Sequence, residues 1–546
     1  MTAIDTHATG AAPTGAGLAG LADWVTTTDH KRIGRLYLGV AALCLVAVAA
    51  VAALLGYERA DIDVQAVDIN SLTQLFALTR FGLLYLVLLP AVIGLAIAVV
   101  PLQVGSRSLT FPRVAAAGFW LWLLGGVLAV YSLILNGGPG GGNPRFVDLF
   151  SLSTVLVITG VLAGALSVAA TALTSRAPGM NMRRVPFFTW SALVVSLMLL
   201  VALPVVAGDL VIVYLAHKYP SLSELSGNRA LAEWVGFGFT QPTTVLFAIP
   251  VLGLLADVAA TATGSRLRPR GVTLAGIGLA GTAVFGAVVQ YPVVIRDGFA
   301  DLTNGDKLSD LVPFALVHLL PLLGVFVAVA LSAGALRRKP ALGAPLVFAL
   351  FGALLLLLGT AASAANHIAD LELVGTVWEE GALLAIVYGG VLAALGAVAH
   401  WGPKWWGRTM PTLQTIPLAL LGALGAALAS ITMLVSGVLG QPGAVFPTVE
   451  VGNDAVVYFP DVDGPASLLN ILNAVGHALV ALTVLLFVGL AARSFLKGER
   501  AGDDPWNGQT LEWATTSPAP ADNFAEIHVV KSAEPLLDLK SSRSDA

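Results

Sequence analysis

The residues of this chain able to do chemistry are few, and most of them sit in apolar surroundings. Of eight histidines, His7 and His528 fall in polar terminal stretches and His30 at the start of an apolar run, which leaves His217, His318, His367, His400 and His477. Imidazole can ligate a metal or carry a proton near neutral pH. Only His318 is plainly in the middle of an apolar run, where a polar group is costly enough to imply a purpose. A bond to a carbonyl of a neighbouring helix is the structural reading there, and a metal ligand or proton-linked group the functional one. His217, His367 and His400 lie near run ends, where interfacial water solvates the ring, and are expected to be structural. Asp209 and Asp257, near the ends of two other runs, are expected to cap a helix or reach solvent, with steps of an ion path as the functional alternative. Cys44 is the only cysteine, so disulfides, iron–sulfur clusters and thiolate copper centres cannot be built from this chain. Gly389, Gly390 and Gly396 suit close helix packing and no phosphate-binding signature follows them. The glycine-rich stretch 136–143 is expected to be a flexible turn, with anion binding through its N–H groups as the alternative.

The elements that must position these groups are membrane helices. With 57% hydrophobic and 11% charged residues and a mean hydropathy of +0.84, the chain carries more apolar surface than a water-soluble globule can bury. Apolar runs long enough to cross about 30 Å of hydrocarbon recur near residues 34–55, 76–100, 114–136, 151–174, 188–215, 235–261, 272–294, 310–335, 344–365, 376–401, 412–439 and 468–492. The loops alternate between a basic set, from Lys31, Arg32 and Arg35 through Arg337 and Arg338 to Arg493 and Arg500, and an acidic set that includes Asp61, Asp297 and Asp461. The positive-inside rule then predicts that both termini are cytoplasmic. The expected organisation is a flexible N-terminal tail over 1–29, a twelve-helix transmembrane domain over 30–499 and a polar C-terminal tail over 500–546. The lipid bilayer is the expected surrounding, and nucleic acid is not an expected partner.

Three blocks of residues give the arrangement a name. Thr28-Asp29-His30-Lys31-Arg32 leads into Leu36-Tyr37; Pro101 to Arg113 is followed by Gly118-Phe119-Trp120; and Asp503 to Trp513 is followed by Ser517-Pro518 and Asn523-Phe524. These resemble, in order, the start of the first helix, the turn between the second and third, and the exit after the twelfth in subunit I of the heme-copper oxidases. A fourth stretch, Trp234 to Val245, resembles that family's sixth helix, where a copper-ligating His, a Glu and a Tyr stand. Here those places hold Gln241, Thr243 and Val245. The likeness covers about residues 24–525 and implies the all-α, twelve-helix polytopic membrane fold of that family, in the plasma membrane of a prokaryote.

The resemblance also implies six histidines on two hemes and a copper, and this chain departs from it at each inferred place. Thr79 stands for the second-helix ligand, Ala382 and Leu384 for the tenth-helix pair, and the region Tyr291-Pro292-Val293 for the copper pair on the seventh. The aspartate at the proton entrance corresponds to Ser108, the nearby Asn pair to Ala115-Ala116-Ala117, and the propionate-holding Pro-Arg-Arg to Pro442-Gly443-Ala444. No cofactor is therefore expected, with heme but not the usual copper site as the alternative. Arg80 lies beside the second-helix place and Glu379 and Glu380 just before the tenth-helix ones, which predicts an intramembrane ion pair, Arg80 with Glu380 or with Glu379; Arg80 reaching out to the interface is the plain alternative.

The expected function is a subunit I-like protein without oxygen-reducing activity. It would be a structural or assembly component of a respiratory complex, with subunit II-like and III-like membrane partners. Two alternatives stand beside it: an electron-transfer oxidase subunit with non-standard heme ligation, and binding or conduction of a quinone, lipid or ion through the vacated core.

Overall fold

The computed structural model describes residues 18–60, 67, 69–139, 141–219, 221, 243–289, 295, 305–443, 449–451, 455–457, 465–526 and 529–544. Among them are twelve helices long and apolar enough to cross a membrane: α1 His30–Ala60, α2 Ser71–Gln103, α3 Pro112–Ile134, α4 Pro144–Thr174, α5 Phe187–Lys218, α6 Thr244–Thr263, α7 Arg270–Val288, α8 Leu311–Arg338, α9 Ala344–Asn366, α10 Trp378–Trp406, α11 Thr412–Val438 and α12 Pro465–Lys497. Each expected run overlaps one of these helices. The apolar stretches of α2, α10 and α6 are 100%, 94% and 89% buried, whereas those of α1 and α12 are 33% buried. The first three are thus the central helices, and residues 79–80, 379–384 and 257 lie on them.

Small residues let these helices approach, as membrane packing demands. A methyl group on Gly389 would stand 2.6 Å from the Gly352 carbonyl oxygen, one on Gly390 would strike Leu88, and one on Gly396 would strike Phe348. Prolines shape the helices from within. Pro90 has no N–H, and the turn before it, Gly82–Leu88, is π-helical, with the Leu89 N–H donating to Leu84 O. Tyr85 O is thereby left without a backbone donor, and Trp122 Nε1 on α3 donates to it at 2.9 Å. Pro321 follows a second π-helical turn, Ala315–Leu319, which carries His318.

Two expectations about the polar stretches change. Within the 136–143 stretch the described residues form a paired strand ladder, Gly137 and Gly138 pairing antiparallel with Gly142 and Gly141, held by Gln74 Nε2 donating to Gly141 O at 3.1 Å. The described residues of both terminal segments, 18–29 and most of 500–546, are not plain tails. A helix, Leu18–Val25, precedes α1, and the segment after α12 folds back under the bundle, burying Leu511, Glu512, Trp513 and Phe524 before the helix Pro535–Ser544. The reason is a polar junction that joins the three blocks. Asn523 Oδ1 meets His30 Nε2 at 3.0 Å and accepts from Lys31 Nζ at 3.1 Å, while Asn523 Nδ2 donates to Ser106 O at 2.9 Å. His30 closes its other side on Ile97 O at 3.0 Å and is 2% exposed, so it belongs to the core of the basic end and not to a loop.

Candidate functional site

At the acidic end of the central helices, four charged groups face one another. Glu379 and Glu380 lie in the first turn of α10, where the helix N-terminus favours carboxylates. Arg59, in the last turn of α1, grips Glu380 through two parallel bonds, Nη2 to Oε2 at 2.7 Å and Nη1 to Oε1 at 3.1 Å. Such a fork is the strong geometry for a guanidinium and a carboxylate. Arg80 on α2 donates from Nη2 to Glu379 Oε1 at 3.2 Å. The predicted pair of Arg80 with Glu380 is therefore corrected: Glu380 is taken by Arg59, whose side chain is 2% exposed, and Arg80 takes the neighbouring Glu379, the other partner expected for it.

The arginine that sequence reasoning missed stands near the end of the first apolar run, where it reads as an interfacial charge. Its environment is nonetheless built for it. Asn470 Nδ2 on α12 donates to Arg59 O at 3.1 Å, and Gln441 Nε2 donates to Asn470 Oδ1 at 3.2 Å. The loop at Pro442-Gly443 docks on residues 375–377 by backbone bonds, Val377 N–H to Gln441 O and Gly443 N–H to Gly375 O at 2.8 Å. Thus where the resemblance puts a pair of arginines on this loop, the positive charges here come from α1 and α2.

The predicted ligand places fall as follows. Thr79 Oγ1 donates to Leu75 O at 2.9 Å, the ordinary back-bond of a threonine in a helix. Ala382 and Leu384 are 0% and 1% exposed in the apolar core. Gln241, the Tyr291 region and Ala444 lie outside the described residues. His318 and His367 come together: their rings stack with centroids 4.1 Å apart and planes 29° apart. Ring nitrogens lie in the ring plane, so a stacked pair aims them sideways and not at a shared point. His367 Nδ1 bonds Ser363 O at 2.8 Å. Burial lowers the pKa of His367, against the Ser363 carbonyl and Glu379, which raise it. His400 is not solvated at an interface as expected but is 2% exposed, its ring 5.2 Å from that of Trp513 and 5.8 Å from that of Trp506. His477 bonds the Tyr388 hydroxyl at 2.5 Å inside the bundle. His217 bonds Asp148 Oδ1 at 2.6 Å on the exposed side. Among the described residues there is no group of three or more His, Cys, Asp or Glu side chains that could hold a metal ion.

A second constellation, at the basic end, was not foreseen as a unit. Gln103 Nε2, on α2, donates both to Asp257 Oδ2 at 3.1 Å on α6 and to Glu512 Oε1 at 3.0 Å in the C-terminal segment, while its Oε1 accepts from Thr189 N and Oγ1 at 3.1 and 2.7 Å. Trp401 Nε1 adds a bond to Glu512 at 3.2 Å. Burial pushes the Glu512 carboxyl up to about 7, helped by Asp257 and opposed by the Gln103 bond. Unfolded, the same group titrates near 4.5, so between these values the folded chain holds the extra proton and stability falls as pH rises from about 4.5 to about 7, levelling off above. Hydrogen exchange of residues 503–524 is expected to quicken over that window in the parent and to change less in Glu512→Gln. Equal pH dependence in both would remove Glu512 as the cause.

Residues 32–479 match the family model described as cytochrome c and quinol oxidase polypeptide I. The chain is 28% identical over 541 residues to a putative cytochrome c oxidase subunit 1-beta of Streptomyces avermitilis, covering 95% of this chain and 92% of the relative. It is 26% identical over 533 residues to cytochrome c oxidase subunit 1 of Bacillus subtilis, covering 94% and 82%. A heme-copper oxidase subunit I+III of Aeropyrum pernix is 28% identical, with 94% of this chain and 63% of the relative covered. A solved heme-copper terminal oxidase dimer superposes with a TM-score of 0.60 at 15% identity, covering 93% of this chain and 89% of that one, which supports the fold.

These matches overturn the expectation that no cofactor belongs here, because the matched family is one of heme-copper oxidase subunits I, which carry heme and copper. The residues at the inferred ligand places do not fit those groups. The hydroxyl of Thr79 is spent on its own helix, and the side chains of Ala382 and Leu384 have no donor atom. If those places are the right ones, heme held by this chain would use other ligands, while the inferred copper places lie outside the described residues.

Proposed function

Because this chain belongs to the cytochrome c and quinol oxidase polypeptide I family, we propose that it is a subunit I-like membrane protein that does not reduce oxygen and serves as a structural or assembly component of a respiratory complex. The observation that carries this reading is the exchange of chemistry at the acidic end of α2 and α10. Thr79, Ala382 and Leu384 stand at the inferred ligand places, and two guanidinium–carboxylate pairs, Arg59 with Glu380 and Arg80 with Glu379, tie α1, α2 and α10 together beside them. Bonds of that kind fix helices relative to one another, which suits a scaffold. Subunit II-like and III-like membrane proteins are the proposed partners; the name of the Aeropyrum relative, which joins subunits I and III, supports the second. Both termini are proposed to face the cytoplasm, since the basic loops and the Asn523 junction share one end.

Membranes containing the chain, supplied with reduced cytochrome c or a quinol, are expected to take up oxygen no faster than membranes lacking it. The affinity-tagged chain is expected to bring down other oxidase subunits in fixed proportion. Oxygen uptake above background overturns the reading.

A further inference from the structure

A groove of about 410 Å³ opens at the basic end between α1, α2, α10 and α12. That volume lies within the roughly 300–1,000 Å³ of small-molecule sites. Its walls are one stripe of α1, from Arg35 through Leu38 and Ala42 to Leu45, and one stripe of α12, from Val484 to Phe495. The stripes cover eleven and twelve residues, so at 1.5 Å rise per residue the groove runs for roughly 15 Å. One leaflet of a bilayer with a 30 Å hydrocarbon core has that thickness. The lining is apolar along its length, Phe487 included, and charge appears only at the basic mouth.

At that mouth stand Arg35, Trp24, Trp405 and Trp406. Arg35 lies with its guanidinium 5.0 Å from the Trp24 ring centre and spends Nε on Lys31 O. Trp405 is 5% exposed, and its indole N–H and that of Trp406 are buried without a hydrogen-bond partner. Those two donors are closed off from the groove, so the charged group that its mouth presents is the Arg35 guanidinium, which calls for a negatively charged ligand rich in acceptor oxygens. An apolar body of one-leaflet length must be attached to it. We propose that this groove holds one anionic phospholipid, its acyl chain along α1 and α12 and its phosphate oxygens on Arg35.

Gly39 lines the groove, and a side chain there would enter open space. Gly39→Phe is therefore expected to block the groove without displacing any neighbour, and Arg35→Gln to remove the charge at its mouth. The full chain, equilibrated with vesicles of equal parts phosphatidylglycerol and phosphatidylcholine and re-extracted in mild detergent, is weighed by native mass spectrometry. The parent is expected to retain about one phosphatidylglycerol in preference to phosphatidylcholine. Gly39→Phe is expected to lower that retention about tenfold, a loss of about 1.4 kcal/mol, and Arg35→Gln to erase the preference. Gly39→Ala, with the parent's thermal transition, serves as the folding control, and if Gly39→Phe does not fold the Arg35→Gln arm decides. Retention unchanged in Gly39→Phe, or phosphatidylcholine held as well as phosphatidylglycerol by the parent, overturns the proposal.

Discussion

Arg59→Leu is expected to destabilise the protein by about 3–5 kcal/mol, because it leaves the Glu380 carboxylate without its fork at the end of α10. The loss should lie toward the lower bound, since the Glu380 side chain is 26% exposed and can recruit water. Removing both charges is a different matter, as a buried pair replaced by apolar groups is often neutral. Arg59→Leu combined with Glu380→Leu is accordingly expected to regain most of the lost stability. Thermal unfolding of the four proteins in one detergent closes the cycle. If the double variant melts as low as Arg59→Leu alone, the damage comes from lost packing of the arginine stem and not from an unpaired carboxylate.

Asp257→Leu is expected to cost about 3 kcal/mol or more, for a reason seated at the other end of the bundle. The Asp257 carboxylate accepts the N–H groups of Phe187 and Phe188 at 3.0 and 2.9 Å and the side-chain amide of Gln103. Phe187 opens α5, so those two N–H groups are among the ones a helix start leaves without partners, and Asp257 caps them from across the fold. Each buried donor left unsatisfied costs about 1–3 kcal/mol. Asp257→Asn keeps acceptor oxygen and should lose clearly less. Equal losses for Asn and Leu would show that the negative charge, and not hydrogen bonding, is what the site requires. Loss of the Gln103 anchor should also loosen the C-terminal segment through Glu512, giving faster exchange around Trp513 in the same variant.

The capping role illustrates a wider division. Sequence patterning anticipated a carboxylate capping a helix at Asp257, but the helix capped is α5, seventy residues earlier in the chain. Likewise, charges at Arg80, Glu379 and Glu380 were visible in the sequence, with an ion pair expected and Arg80 reaching out to the interface as the alternative. Which of them meet depended on Arg59, whose position at a span end gave no hint that it turns inward. The stack of His318 on His367 and the contact of His400 with Trp506 and Trp513 were equally out of reach, because each joins residues from separate helices or from the returning C-terminal segment.

By itself, the sequence determined the membrane setting, the twelve crossings and the family, because apolar length, loop charge and ordered motif blocks are local properties that survive without knowledge of neighbours. Only the tertiary structure decided how those blocks are used. His30, Lys31, Ser106 and Asn523 are separated by up to 493 residues yet close one junction, and Gln103 links Asp257 to Glu512. The physical reason is that a buried polar group must find its partner wherever the packed helices bring one within about 3 Å. No periodicity along the chain records which helix that will be.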